Sequence, residues 1–190
     1  MPSWRGSRNK SIKSIMEDKK KLRVFLDANI LIRGITLPRF PYEVLRHAAQ
    51  GHFVPVFSPT VLDSARQYIS ELFPDHKETL EVLLSLLEYE LVSDPSIQEI
   101  EAHSNLVRDA KDIPVALAAI QAKVDYLVST DTDLTDVNET TSELRQLVTP
   151  LRVGSFLREV MRWSSEDLEV IKHRRWSDLE HPFWGKRSAK

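Results

Sequence analysis

The chain is 190 residues long, 42% hydrophobic and 28% charged, with no cysteine; this suits one ordinary soluble domain with arms and excludes disulfides, thiolate nucleophiles, zinc–thiolate centres and iron–sulfur ligation. The net charge of −2 is segregated: residues 1–23 carry eight Lys/Arg and two Asp/Glu, residues 24–151 nine and twenty, and residues 152–190 nine and six. An acidic body between basic arms points to carboxylates gathered for a cation and to arms able to touch a polyanion, against the plainer reading of solvated surface with ordinary tails.

In chain order, residues 1–11 lack a periodic apolar pattern, as a mobile terminus would, and Ile12, Ile15 and Met16 sit at the spacing of a short helix or docked arm. The start is basic and Ser-rich without the apolar stretch of a secretory signal, no apolar run approaches the roughly 20 residues that cross a bilayer, and the absence of thiols fits a reducing compartment such as the cytoplasm. Val24–Leu26 reads as a strand that stops at Asp27, residues 42–50 as a helix closed by Gly51, and Phe53–Phe57 as a second strand in which Pro55 argues against a central position. Pro59 suits the first turn of a helix reaching Leu72. Asp75 reads as the cap of a further helix whose apolar face holds Leu80, Val82, Leu83, Leu86 and Leu87. Leu91-Val92 reads as a third strand, Pro95 to about Val107 as a helix, Pro114–Lys123 as an Ala-rich helix, Tyr126–Val128 as a fourth strand and Leu147-Val148 as a short fifth. Beyond Pro150, Ser155–Arg162 and Ser165–Arg175 read as helices, with Ser164 and Asp167 spaced as a capping box. There is no internal repeat. Strands alternating with helices predict an α/β sandwich around a mostly parallel sheet of four to five strands.

In such sheets the site lies at the carboxyl ends of the strands, near the switch in strand order. Asp27 directly follows the first strand; Asp131 follows the fourth after Ser129 and Thr130, with Asp133 two residues on. Asp112 begins the helix that feeds the fourth strand from its far end, and Asp63 lies early in the helix after the second. Topology therefore draws four distant acids to one edge, an arrangement that is costly unless a cation neutralises it. Hard Mg²⁺ or Mn²⁺ ions suit carboxylate oxygens and water. Each acid also has a plainer role: Asp112 as a helix cap, Asp63 as a solvated helix residue, and Asp131, Asp133 and above all Asp136 as Asx-turn residues.

With these residues in place, the sequence resembles a PIN-domain nuclease. The resemblance is carried by Val24-Phe25-Leu26-Asp27-Ala28-Asn29-Ile30-Leu31, by Asp112-Ile113-Pro114-Val115-Ala116-Leu117-Ala118-Ala119 and by Asp125-Tyr126-Leu127-Val128-Ser129-Thr130-Asp131-Thr132-Asp133-Leu134, with Thr149-Pro150 before the closing helix. It covers about residues 22–160 and is nearest to bacterial and archaeal toxins of toxin–antitoxin pairs. The resemblance implies a three-layer α/β/α fold, with residues 1–21 as a basic arm and 161–190 as a helical extension. It implies Asp27, Asp112, Asp131 and the accessory Asp133 as metal ligands, Asn29 orienting the first acid, and hydrolysis of RNA phosphodiesters with Mg²⁺ or Mn²⁺. The expected partners are single-stranded RNA, a small antitoxin protein and a second copy of the chain, with no membrane. The family's second acid is usually Glu; here the matching position holds Asp63, one methylene shorter, with Glu71 two turns on as the other candidate.

The extension past Glu159 places Trp163, Trp176, Phe183 and Trp184 among Arg158, Arg162, Lys172, Arg174, Arg175, Lys186 and Arg187. These aromatics either dock the segment on the body or stack on bases, and docking is the expectation. His47, His52, His76, His103, His173 and His181 form no metal-spaced pair and read as surface or cap residues; Ser129 reads as orienting Asp131 or phosphate rather than as a nucleophile. The alternative function is a non-catalytic RNA-binding or scaffold protein on the same fold. A haloacid-dehalogenase-type phosphatase would want Asp where Asn29 stands.

Overall fold

The computed structural model describes residues 21–185; the arm containing Ile12, Ile15 and Met16, together with Lys186 and Arg187, lies outside the described residues. Strand β1 (Arg23–Leu26) is followed by helices α1 (Ala28–Thr36) and α2 (Phe40–Ala49), then by β2 (Val54–Phe57), α3 (Pro59–Leu72), α4 (Lys77–Leu86) and β3 (Glu90–Leu91). The chain continues through α5 (Ile97–Ala102), α6 (Ile113–Gln121), β4 (Tyr126–Ser129), α7 (Thr132–Thr135), α8 (Ser142–Leu147) and β5 (Pro150–Arg152). After a one-turn helix, α9 (Val153–Ser155), and a π turn at Phe156–Val160, α10 (Ser165–Lys172) closes the regular structure. Among the described residues no helix is long and apolar enough to cross a membrane.

The five strands are all parallel, in the order β3-β2-β1-β4-β5. Val24, Phe25 and Leu26 are wholly buried although successive side chains face opposite sides of a sheet, so both faces are covered. This is the α/β/α arrangement expected from the sequence. The order reverses between β1 and β4, where Leu26 pairs with Val128, which puts the crevice of the fold directly beyond those two strand ends.

Several elements depart from the sequence reading for local reasons. Helix α1 was not anticipated; its run Ile30, Leu31, Ile32 is buried, and its polar stripe is narrow, with Asn29 and Thr36 half-buried and Arg33 alone well exposed. Gly34 lets α2 approach closely, since a Cβ there would lie 2.4 Å from Leu45 Cδ1. Strand β2 is interior despite Pro55. Strand β3 is only two residues long and starts opposite Val56, so no ladder partner faces the missing N–H. Asp75 does not cap α4; Pro74 starts a 3₁₀ turn through His76, which shifts the helix to Lys77. Of its expected apolar face, Val82 and Leu86 are exposed at 37% and 45%. The helix after Pro95 is confined to α5, where Ser96 and Glu99 form a capping box. The fifth strand is Pro150–Arg152 rather than Leu147-Val148; Leu147 ends α8, and an edge strand tolerates proline at its first residue.

The C-terminal segment docks through its aromatics. Trp163 Nε1 donates to His47 Nε2 at 2.9 Å, Trp176 Nε1 to the Thr36 carbonyl at 3.0 Å, and the Phe183 backbone N–H to Tyr42 Oη at 2.9 Å. Trp184 meets the Tyr42 ring edge-on. Arg174 reaches Glu43, which is 1% exposed and also paired with Arg46. His47 is therefore neither a surface nor a cap residue. An indole only donates, so His47 carries its proton on Nδ1, 2.7 Å from His52 Nδ1. Burial, with His52 and Arg46 nearby, lowers its pKa to about 4.

Candidate metal centre and active site

Asp27 is the first residue past β1, and its backbone N–H still bonds the Val128 carbonyl of β4 at 3.1 Å. That tether holds a carboxylate only 7% exposed at the strand-order switch. Its Oδ2 accepts from Ser129 Oγ at 2.7 Å and from Asn29 Nδ2 at 3.2 Å. Burial pushes the Asp27 carboxyl above the usual carboxylate range, and those hydrogen bonds oppose the shift. The Asn29 amide therefore restrains the rotation of the Asp27 carboxylate. Ser129 orients Asp27 with its hydroxyl and positions Asp131 by accepting from its backbone N–H at 2.9 Å.

Asp131 turns the end of β4 into α7 by accepting from the Asp133 backbone N–H at 2.8 Å. The capping bond engages Oδ1 and leaves Oδ2 without a hydrogen bond among the described residues. Asp112 differs. It stands at the N-cap of α6, yet its side chain makes no capping hydrogen bond, and its buried Oδ2 has no hydrogen-bond partner among the described residues. Burial first, then the charges of Asp131, Asp27, Asp109 and Asp133, raise its pKa from 3.8 to about 7. Asp136, expected in an Asx turn, instead pairs with Arg152.

One carboxylate oxygen each of Asp109, Asp112 and Asp133 lies within 4.8 Å of the other two. Asp109 and Arg108 are the participants the sequence reading missed. Asp109 stands three residues before Asp112, one turn of the 3₁₀ helix Ala110–Asp112, and caps it by accepting from the Lys111 N–H; that spacing was its only signal. Arg108 Nη2 donates to Asp133 Oδ1 at 2.5 Å. The structure does not bring Asp63 into this trio. Its carboxylate is 78% exposed and its ion-pair partner is Arg66, at 3.9 Å, within the same helix. Glu71, further along α3, accepts from Gln67.

The donor set is entirely carboxylate, one of its members, Asp112, has a buried oxygen without a hydrogen bond, and such a set fits a hard divalent cation. A cation there would satisfy Asp112 Oδ2 and remove the repulsion that raises its carboxyl.

The sequence matches the PIN domain family over residues 23–133. The chain belongs to the PIN-domain family. The match runs from β1 through the acid that follows β4, so it spans Asp27, Asp109, Asp112, Asp131 and Asp133 together. Among solved structures, PAE2754 from Pyrobaculum aerophilum superposes with a TM-score of 0.50 at 13% identity, covering 75% of this chain and 97% of that one. That similarity bears on the PIN fold alone. VapBC2 from Rickettsia felis, bound to a DNA fragment from its promoter, gives a TM-score of 0.45 at 16% identity over 69% of this chain and 98% of that one. No curated protein matches the sequence.

Proposed function

We propose that this PIN-domain protein is a metal-dependent endoribonuclease that hydrolyses phosphodiester bonds of single-stranded RNA. The observation that carries the reading is Asp112 Oδ2, buried without a partner among Asp27, Asp109, Asp131 and Asp133. A carboxylate that neither caps its helix nor pairs with a cation has no structural use to offset its cost.

Asp112, Asp109 and Asp133 would hold the ion, with Asp27 and Asp131 facing it from the two strand ends. Bound Mg²⁺ or Mn²⁺ would neutralise charge building on the phosphate and lower the pKa of the attacking water. The acids themselves do not attack phosphorus. Ser129 keeps Asp27 and Asp131 in fixed relation, and Asn29 stops Asp27 from rotating away. Residues 22–160 would form the nuclease domain, with 1–21 and 161–190 as appended segments. The motifs' likeness to toxin–antitoxin nucleases supports a toxin with a small protein antitoxin and a homo-oligomeric state as the biological setting, and the cytoplasm as its place.

The test is manganese-dependent cleavage of single-stranded RNA by the full chain. Chelation should abolish it, and Asp27→Asn, Asp112→Asn and Asp131→Asn should each reduce it by orders of magnitude. Asp63→Asn should cost less, because that side chain stands in solvent; a loss equal to that of Asp112→Asn would put Asp63 among the working acids. One observation favours a second reading, a non-catalytic RNA-binding protein: Arg108 already supplies a cation to Asp133. RNA binding without cleavage at any divalent ion would select it.

A further inference from the structure

The acid cluster is flanked on one side by a groove of opposite charge. Thr130, covalently between Ser129 and Asp131, lines two adjoining hollows of about 250 Å³ and 420 Å³ that also share Phe40 and Val153. Arg33, Arg39 and Lys172 line the first, Arg152 and Arg158 the second, and neither is lined by an Asp or Glu. On a body whose residues 24–151 hold twenty acids and nine cations, this is a local inversion of charge at the mouth of the site.

Four of these cations are available to a ligand, while Arg152 is held by Asp136. The Arg33 guanidinium is exposed and has no partner among the described residues, while Arg39 reaches only the Arg174 carbonyl, at 3.4 Å. Arg158 and Lys172 pair with exposed Glu159 and Glu169 at 3.3 and 3.4 Å; such solvated pairs give way readily to a phosphate. The floor is apolar, with Phe40 half-buried, and the Thr130 and Ser155 hydroxyls are unengaged among the described residues.

We propose that this groove is the track that carries single-stranded RNA to the acid cluster. Its phosphates would lie on Arg33, Arg39, Arg158 and Lys172, a base against Phe40, and a ribose 2′-hydroxyl on Thr130 or Ser155. Cations along a path with an aromatic platform are what a flexible polyanion needs, and free hydroxyls beside them suit ribose over deoxyribose. Consecutive Cα atoms are about 3.8 Å apart, so a strand held at Thr130 is delivered next to Asp131. The choice of RNA rests on the nuclease reading; the groove's charge and shape do not.

Gly154 offers a clean probe, because a Cβ built there meets nothing within 4 Å and the residue lines the groove. The measurement is fluorescence anisotropy of a labelled single-stranded RNA of about 12 nucleotides with the full chain in EDTA, so that binding is read without cleavage. Gly154→Glu should weaken binding about tenfold and Gly154→Arg should tighten it, with the salt slope falling by about 0.7 for each phosphate that Arg33→Ala or Arg158→Ala leaves without its cation. Arg66→Glu, on α3 and paired with Glu81, should leave affinity unchanged. Unaltered RNA affinity in Gly154→Glu overturns the groove, even if cleavage persists and the nuclease reading stands. Groove-dependent binding without cleavage in Mn²⁺ supports the groove and overturns the nuclease. Equal affinity for DNA of the same sequence overturns the assignment to RNA.

Discussion

Replacing Asp112 with Asn should stabilise the metal-free protein, by an amount that grows with pH. The carboxyl titrates near pH 7 in the folded chain and near 3.8 when unfolded. Between those values the folded state keeps a proton that the unfolded state has lost, so stability falls as pH rises through this window and levels off above about 7. A shift of about three units corresponds to about 4 kcal/mol for a group wholly withdrawn from water. Asp112 is half-buried, and solvent screening reduces the expected gain to about 1–2 kcal/mol at pH 8. For a chain of this size that is roughly 3–6 °C in Tm. Asn is the right replacement because it keeps the shape without the charge and breaks no hydrogen bond at Oδ2; Asp27→Asn would instead turn an amide towards the Ser129 donor. The assay is thermal unfolding of both proteins in EDTA between pH 5 and pH 8, with all other titrating groups common to the two. Melting curves that stay parallel across this range, or a variant less stable than the parent at pH 8, would refute the electrostatic account of the site.

Three more outcomes follow from the same geometry. Arg108→Ala should tighten Mn²⁺ binding several-fold by calorimetry, because it removes the cation already paired with Asp133; weaker binding would mean that Arg108 helps to assemble the site. Ser129→Ala should lower cleavage by about 10–100-fold with secondary structure intact, since one hydroxyl orients two acids; full activity would show that backbone tethers suffice. Arg174→Ala should cost about 2–3 kcal/mol in urea unfolding, less than a wholly orphaned buried charge because Arg46 still faces Glu43. A loss within about 0.5 kcal/mol, the usual range of surface changes, would mean that the C-terminal segment is not held by this pair.

What was legible in the sequence was whatever depends on contiguous hydrophobicity and chain order. Val24–Leu26 and Tyr126–Val128 announce buried parallel strands, and an acid directly after each needs no three-dimensional information to be placed at the strand-order switch. The same signal concealed α1, because the contiguous apolar run Ile30-Leu31-Ile32 is buried and leaves only a narrow polar stripe at Asn29, Arg33 and Thr36. It also drew the fifth strand onto Leu147-Val148, past a proline that only an edge position makes tolerable. Topology draws Asp27, Asp112 and Asp131 towards one edge, although only Asp112 of the three belongs to the carboxylate trio; Asp109 could not be derived in this way, since it joins through a 3₁₀ turn that brings positions 109 and 112 round to Asp133. Arg108 was hidden more deeply, in a contact across 25 residues. Asp63 was drawn in by its place in the order of elements, and its orientation is set by the side of α3 it occupies, which order alone does not fix.

The two most informative carboxylates are the pair the fold treats in opposite ways. Glu43 is withdrawn from water and fully satisfied: Arg46 and Arg174 occupy its two oxygens, and one of those cations comes from the C-terminal segment. Its burial is explained by what it joins. Asp112 is less buried, yet one of its oxygens has no hydrogen-bond partner among the described residues, its helix is left uncapped by it, and four neighbouring charges oppose its ionisation. A chain able to place two arginines on Glu43 had the means to neutralise Asp112 in the same way, yet Arg108, four residues before it in sequence, pairs with Asp133. Asp27 lies between these extremes, buried but held by two donors on one oxygen. A cation arriving at Asp109, Asp112 and Asp133 would give the orphaned carboxylate the partner that Glu43 and Asp27 already have. Stability alone would favour an uncharged residue at position 112, so the aspartate there is best explained by something it binds.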